Sequence, residues 1–163
     1  MPAIGQVKLS SKIDNTLARL TNDPAIGVTN TFDPVGIDAN GVASYEDASG
    51  GIAVGNPRLS IQLRRPNKTN RNYKVTVKLF VPTLEVTSPS TGSGIQPAPT
   101  KAYDCVFVGE FILPERSTST ERVNLSKLVQ SLFMGTINAS DGSPTDSTGS
   151  PLNGMINSLA AVY

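Results

Sequence analysis

The sequence predicts an α+β chain, an antiparallel β-sheet followed by C-terminal helices. Three features carry that prediction: a turn-rich composition, two consecutive strands of unbroken polar–apolar alternation, and an amphipathic segment late in the chain. With 163 residues the chain has the length of one domain and can bury a sizeable core. Its 14 Gly and 12 Pro, amid many Ser, Thr and Asn, call for many turns and few long helices. No apolar run approaches the roughly 18 residues that a bilayer requires, so no membrane partner is expected. The first five residues, Met-Pro-Ala-Ile-Gly, lack the basic and apolar regions of a secretory signal, and the mature chain is expected to begin near Met1.

The elements follow in order. Residues 7–13 and 16–20 read as an N-terminal β-hairpin turning at Asp14-Asn15, with residues 1–39 forming this hairpin and a connection. Residues 40–116 are expected to hold the main sheet. Asn40-Gly41 precedes a short strand at 42–45, two alternating strands follow at 58–64 and 73–79, and the second ends at Leu79-Phe80-Val81-Pro82, with Leu84-Glu85-Val86 beyond it. Residues 88–100 form a long Ser/Thr/Gly/Pro loop of the kind that is usually functional or adaptable. The longest strand, 103–113, carries Tyr103, Cys105, Phe107, Gly109, Phe111 and Leu113 on one side and a mixed set, Asp104, Val106, Val108, Glu110 and Ile112, on the other. Pro114 stops it.

Residues 117–163 are assigned to two C-terminal helices. Thr118 and Glu121 have capping-box spacing, and Leu125, Leu128, Val129, Leu132 and Phe133 recur at intervals of three and four up to a stop at Gly135. After a polar connection, Pro151 opens a second, short helix that presents Leu152, Met155, Ile156 and Leu159.

Chemistry is constrained mainly by what is missing. With no histidine there is no imidazole base, no Ser/His or Cys/His pair and no His-ligated metal. One cysteine, Cys105, makes neither an internal disulfide nor a Cys-rich zinc site, and between Asp104 and Val106-Phe107 it is expected to be a small buried hydrophobe. No Gly-rich phosphate loop or metal-ligand spacing occurs, so no catalytic residue, metal, cofactor or small-molecule substrate is expected, and the chain is not read as an enzyme.

Charge is the informative signal. The net charge is +1, yet residues 56–78 hold Arg58, Arg64, Arg65, Lys68, Arg71, Lys74 and Lys78 with no acid, a local +7 set against −6 for the rest. Such asymmetry points to a polyanion-facing surface. Alternation displays it: Arg58, Ser60, Gln62 and Arg64 project to one side of the first strand, opposite Leu59, Ile61 and Leu63, while Lys74, Thr76 and Lys78 lie opposite Tyr73, Val75, Val77 and Leu79 in the second. Paired as an antiparallel hairpin, the two strands put Arg58, Ser60, Gln62, Arg64, Lys74, Thr76 and Lys78 on one face. A merely solvated face normally mixes both signs of charge, and these two strands carry one.

The order of these segments resembles the coat proteins of single-stranded RNA bacteriophages, the levivirus type. Asn40-Gly41-Val42-Ala43 is followed by Asn56-Pro57-Arg58-Leu59-Ser60-Ile61-Gln62-Leu63-Arg64-Arg65, then by Asn70-Arg71-Asn72-Tyr73-Lys74-Val75-Thr76-Val77-Lys78, Val81-Pro82, Glu110-Phe111-Ile112-Leu113-Pro114, the amphipathic helix and terminal Tyr163. The resemblance covers about residues 40–163. It implies an intertwined homodimer in which C-terminal helices cover the partner's outer sheet face, and assembly of dimers into an icosahedral T=3 shell of the virion, made in the bacterial host cytoplasm. It also implies that the inner sheet face binds single-stranded genomic RNA, including a stem-loop whose occupancy represses replicase translation. By strand position the RNA-facing set is Arg58, Ser60, Gln62, Arg64, Lys74 and Thr76, which alternation selects independently. Where related proteins often carry a tyrosine and an asparagine on the long strand, this chain has Val106 and Val108. The alternative class is a non-capsid cytoplasmic RNA-binding β-module. Such modules often add aromatic stacking platforms, and this hairpin's tyrosine, Tyr73, falls on the apolar side.

Overall fold

The computed structural model describes residues 5–10, 29–85 and 98–134, together with 152, 155, 156, 159 and 161. The chain divides into two units: residues 1–11 with 28–115, which hold the sheet, and residues 12–27 with 116–163, which hold the helix.

Among the described residues the sheet is an antiparallel meander of six strands in sequence order: β1 (Val7–Ser10), β2 (Thr29–Ile37), β3 (Val42–Glu46), β4 (Arg58–Arg64), β5 (Asn72–Leu84) and β6 (Lys101–Pro114). Two of the connections, β2–β3 and β4–β5, are short, as antiparallel neighbours allow. Between β2 and β3 the Asp38 carboxylate accepts the backbone N–H groups of Asn40 and Val42, both at 2.8 Å, and Gly41 supplies the φ of +74° that closes the turn. Between β4 and β5, Asn67 Oδ1 accepts the N–H groups of Thr69 (3.1 Å) and Asn70 (2.7 Å), and Asn70 Oδ1 accepts that of Asn72 (3.1 Å). An asparagine-rich loop thus satisfies its own backbone and starts β5 in register.

Several strands differ from the sequence expectation. Among the described residues β1 pairs with the first half of β2, with Val7 opposite Phe32; residues 16–20, its expected partner, lie outside the described residues. The sheet therefore takes in residues of the segment expected to be hairpin and connection. β2 accommodates Pro34 where its register with β3 shifts, between Pro34 and Gly36, so the missing N–H falls at an irregularity. β5 runs through Pro82 to Leu84. The loop that follows lies mostly outside the described residues, but its feet are tied: Glu85 N–H donates to the Thr100 carbonyl at 2.8 Å, and Thr100 Oγ1 donates to Glu85 Oε2 at 2.7 Å.

Among the described residues, Phe32 and Leu59 are the buried hydrophobic side chains. The apolar side of β4–β6 is otherwise largely open, with Leu63, Val81, Tyr103 and Phe107 all exposed. Cys105, expected to be buried, is exposed as well: it lies on β6, an edge strand among the described residues, whose apolar side stays accessible in a single chain. Gly109 sits beneath the Phe107 ring, which lies 2.9 Å from where a Cβ would be.

The helical unit contains α1 (Ser119–Met134). Its start is the capping box: Glu121 N–H donates to Thr118 Oγ1 at 3.3 Å, and Glu121 Oε2 accepts the Thr118 N–H at 2.7 Å and its hydroxyl at 2.9 Å. These bonds hold the Glu121 carboxyl below its ordinary pKa, the Thr118 backbone bond most and neighbouring Arg122 least. Gly135 lies outside the described residues. Of the second expected helix, residues 152, 155 and 156 are helical, whereas Leu159 is not and has a φ of 51°.

Candidate nucleic-acid interface

The β4–β5 register decides which side chains share a face. Arg58 stands opposite Phe80, Ser60 opposite Lys78, Gln62 opposite Thr76 and Arg64 opposite Lys74. Because directly opposed residues project to the same side, all seven candidates lie together, as alternation required. Arg58, Arg64 and Lys78 are exposed, and Ser60, Gln62, Lys74 and Thr76 are half-buried. The six-residue step from Arg58 to Arg64 spans about 20 Å, so the cations cover a strip rather than a point. Arg65, Lys68 and Arg71 are exposed in the loop that joins the two strands.

Neighbouring strands modify this charge. β3 places Val42 opposite Gln62, Ser44 opposite Ser60 and Glu46 opposite Arg58, while β6 places Glu110 opposite Thr76, Val108 opposite Lys78 and Val106 opposite Phe80. Three acids, Glu46, Glu110 and, opposite Pro82, Asp104, therefore border a face whose central hairpin has none. Glu110 Oε1 lies 2.8 Å from Lys74 Nζ, an ion pair with both side chains partly exposed. Glu46 Oε1 accepts a hydrogen bond from Asn56 Nδ2 at 2.7 Å. Gln62 Nε2 donates to the Asn40 carbonyl at 3.1 Å, which fixes its amide beside the β2–β3 turn.

The face also carries an aromatic ring missed in the sequence reading. Phe80 shares the parity of Lys74, Thr76 and Lys78, and the Arg58 guanidinium carbon lies 5.9 Å from its ring centroid. Its signal was its even position in an uninterrupted strand, obscured by apolar Leu79 and Val81 on either side. Beside it lies an open depression of about 410 Å³ lined by residues of β2, β3, β4 and β5, among them Ser44, Glu46, Arg58, Ser60 and Phe80. Chemically the surface offers cations for phosphates, hydroxyls and amides for hydrogen bonds, and one flat ring.

The comparisons with known proteins agree on a family. The levivirus coat protein model matches residues 3–163. No curated protein sequence matches the chain. Among solved structures, the virus-like particle of bacteriophage ESE058 is 31% identical, with 99% of this chain and 100% of that one covered and a TM-score of 0.72. The virus-like particle of Beihai levi-like virus 21 shares the fold at 22% identity, 99% coverage of both chains and a TM-score of 0.69. The bacteriophage GA capsid protein shares it at 20% identity, 96% coverage of both and a TM-score of 0.61. A family match over nearly the whole length, on a meander followed by a capped helix, leads to one conclusion: the chain belongs to the levivirus coat proteins, a family of structural capsid proteins and not of enzymes.

Proposed function

We propose that this capsid protein acts as a homodimer, that dimers close into an icosahedral T=3 shell, and that the shell packages single-stranded genomic RNA on the β4–β5 face. Residues 1–163 act as one coat domain, synthesised in the bacterial host cytoplasm and incorporated into the virion. The RNA-facing residues are Arg58, Ser60, Gln62, Arg64, Lys74, Thr76 and Lys78. A stem-loop bound on the same face represses replicase translation.

The observation that carries this reading is the β4–β5 register, which brings four cations and three hydrogen-bonding side chains onto one face of a sheet that is apolar on the other. Cations on one face bind RNA by releasing its counterions, a sequence-tolerant and salt-dependent term. The dimer is supported by incomplete burial. Among the described residues β6, 14 residues long, stands at the edge of the sheet, and Leu125, Leu128, Leu132 and Phe133 of α1 remain exposed. Pairing edges removes the first liability, and covering the partner's apolar sheet face removes the second.

Replacing Arg58, Arg64 and Lys74 together by Ser tests the RNA assignment. These side chains face away from the apolar side, so the triple variant is expected to assemble while its particles carry less RNA, read as a fall in the 260/280 nm absorbance ratio. Particles with the parent's RNA content would place RNA elsewhere.

A further inference from the structure

We propose that the depression beside Phe80 is a base-stacking subsite, which takes an unpaired nucleobase of single-stranded RNA against the phenyl ring. The proposal rests on the RNA-binding reading above and adds a contact that the basic residues do not make. Three observations lead to it. Phe80 is half-buried on the charged face of β5, where a phenyl ring gains nothing from the apolar side of the sheet. A planar guanidinium already rests 5.9 Å from its centroid, so the ring face is accessible to a flat, electron-poor partner. The depression is bordered by Glu46 as well as Arg58. A carboxylate there disfavours a phosphate inside the depression and leaves a neutral base as the better occupant.

The wall supplies what such a base requires. Val35 lines the depression, Val106 stands opposite Phe80 on β6, and Ser44 and Ser60 stand opposite each other across β3 and β4. Hydroxyls donate and accept, so they satisfy base edges without selecting one base strongly. When a base stacks, the Arg58 guanidinium moves from the ring to the flanking phosphate, where its charge is used in full. Phosphate contacts along β4 and β5 and a stack at Phe80 then act as one strand-tracking site.

The chain contains no tryptophan, so Phe80→Trp introduces a single indole at the ring position. Full-length protein freed of RNA is mixed with oligoadenylate of about twelve nucleotides, within the site sizes such surfaces take, or with an equally long strand of abasic riboses, and binding is followed by anisotropy of a label on the strand. Stacking predicts that oligoadenylate quenches the indole and the abasic strand does not, although both bind. Phe80→Leu is expected to weaken oligoadenylate binding about tenfold, the scale of one lost stack, and to leave abasic binding and its salt dependence unchanged. An unquenched indole at saturating oligoadenylate, or equal affinities of parent and Phe80→Leu for it, overturns the subsite and leaves the basic face standing. If the parent binds neither strand, the RNA reading fails and the subsite with it. Should Phe80→Leu not fold, the indole signal decides.

Discussion

At the scale of single residues, Lys74 and Glu110 show how little one cation says without its surroundings. Their 2.8 Å pair is partly exposed, and pairs of this kind contribute about 0–1 kcal/mol to stability. The consequence for binding is larger, because Glu110 occupies a cation that RNA would otherwise use. Glu110→Gln is therefore expected to raise RNA affinity several-fold at low salt. It should also steepen the dependence of log K on log salt by about 0.7, the value for one further phosphate neutralised on a single strand. A salt titration of oligonucleotide binding checks this, and an unchanged slope means that Lys74 is not in the contact. Neither Glu110 nor Glu46 could be assigned to this face from alternation within the hairpin, since both arrive from flanking strands whose register no local pattern reveals. Phe80 was legible in principle, and its apolar neighbours concealed it.

Elements explain where the sequence spoke clearly and where it did not. β4 and β5 were legible because every second residue is apolar and one face is charged, so a slip of one residue would reverse both. α1 was legible from Thr118 and Glu121, whose reciprocal bonds the structure contains. β2 was missed: Asp33-Pro34 breaks its alternation, and only pairing on both sides holds such a segment extended. The cap also yields a pH dependence. Glu121 has a folded pKa below its ordinary value of 4.5, so its contribution is fully present above about pH 4.5 and is lost as the pH falls through the lowered folded value. Helix content followed by circular dichroism from pH 6 down to 3 should fall at higher pH in Thr118→Ala than in the parent, and Thr118→Ala should cost about 1 kcal/mol at neutral pH. Coincident acid profiles would show that the capping box does not hold the helix.

For the whole molecule, the side chains that remain open define what assembly must accomplish. Phe107, Leu63 and Tyr103 on the sheet and Leu125, Leu128 and Leu132 on α1 are exposed in one chain. Burying each large apolar side chain contributes roughly 1.5–3 kcal/mol. In the proposed dimer, folding and dimerisation are linked, and a charge in its shared core is expected to prevent both. Leu128→Asp is expected to give insoluble or unfolded chain, whereas Lys127→Ser is tolerated. A soluble, well-folded Leu128→Asp monomer in ultracentrifugation would remove α1 from the shared core.

The central claim is that the charged side of β4 and β5 lines the interior of a closed shell and meets the RNA there. Electron cryo-microscopy of particles assembled from this chain tests it most directly. The account predicts closed shells in which Arg58, Arg64, Lys74 and Lys78 point inward and abut density that the protein does not fill. Shells with this face turned to the outer solvent, or with an interior layer that leaves these four side chains untouched, would contradict it.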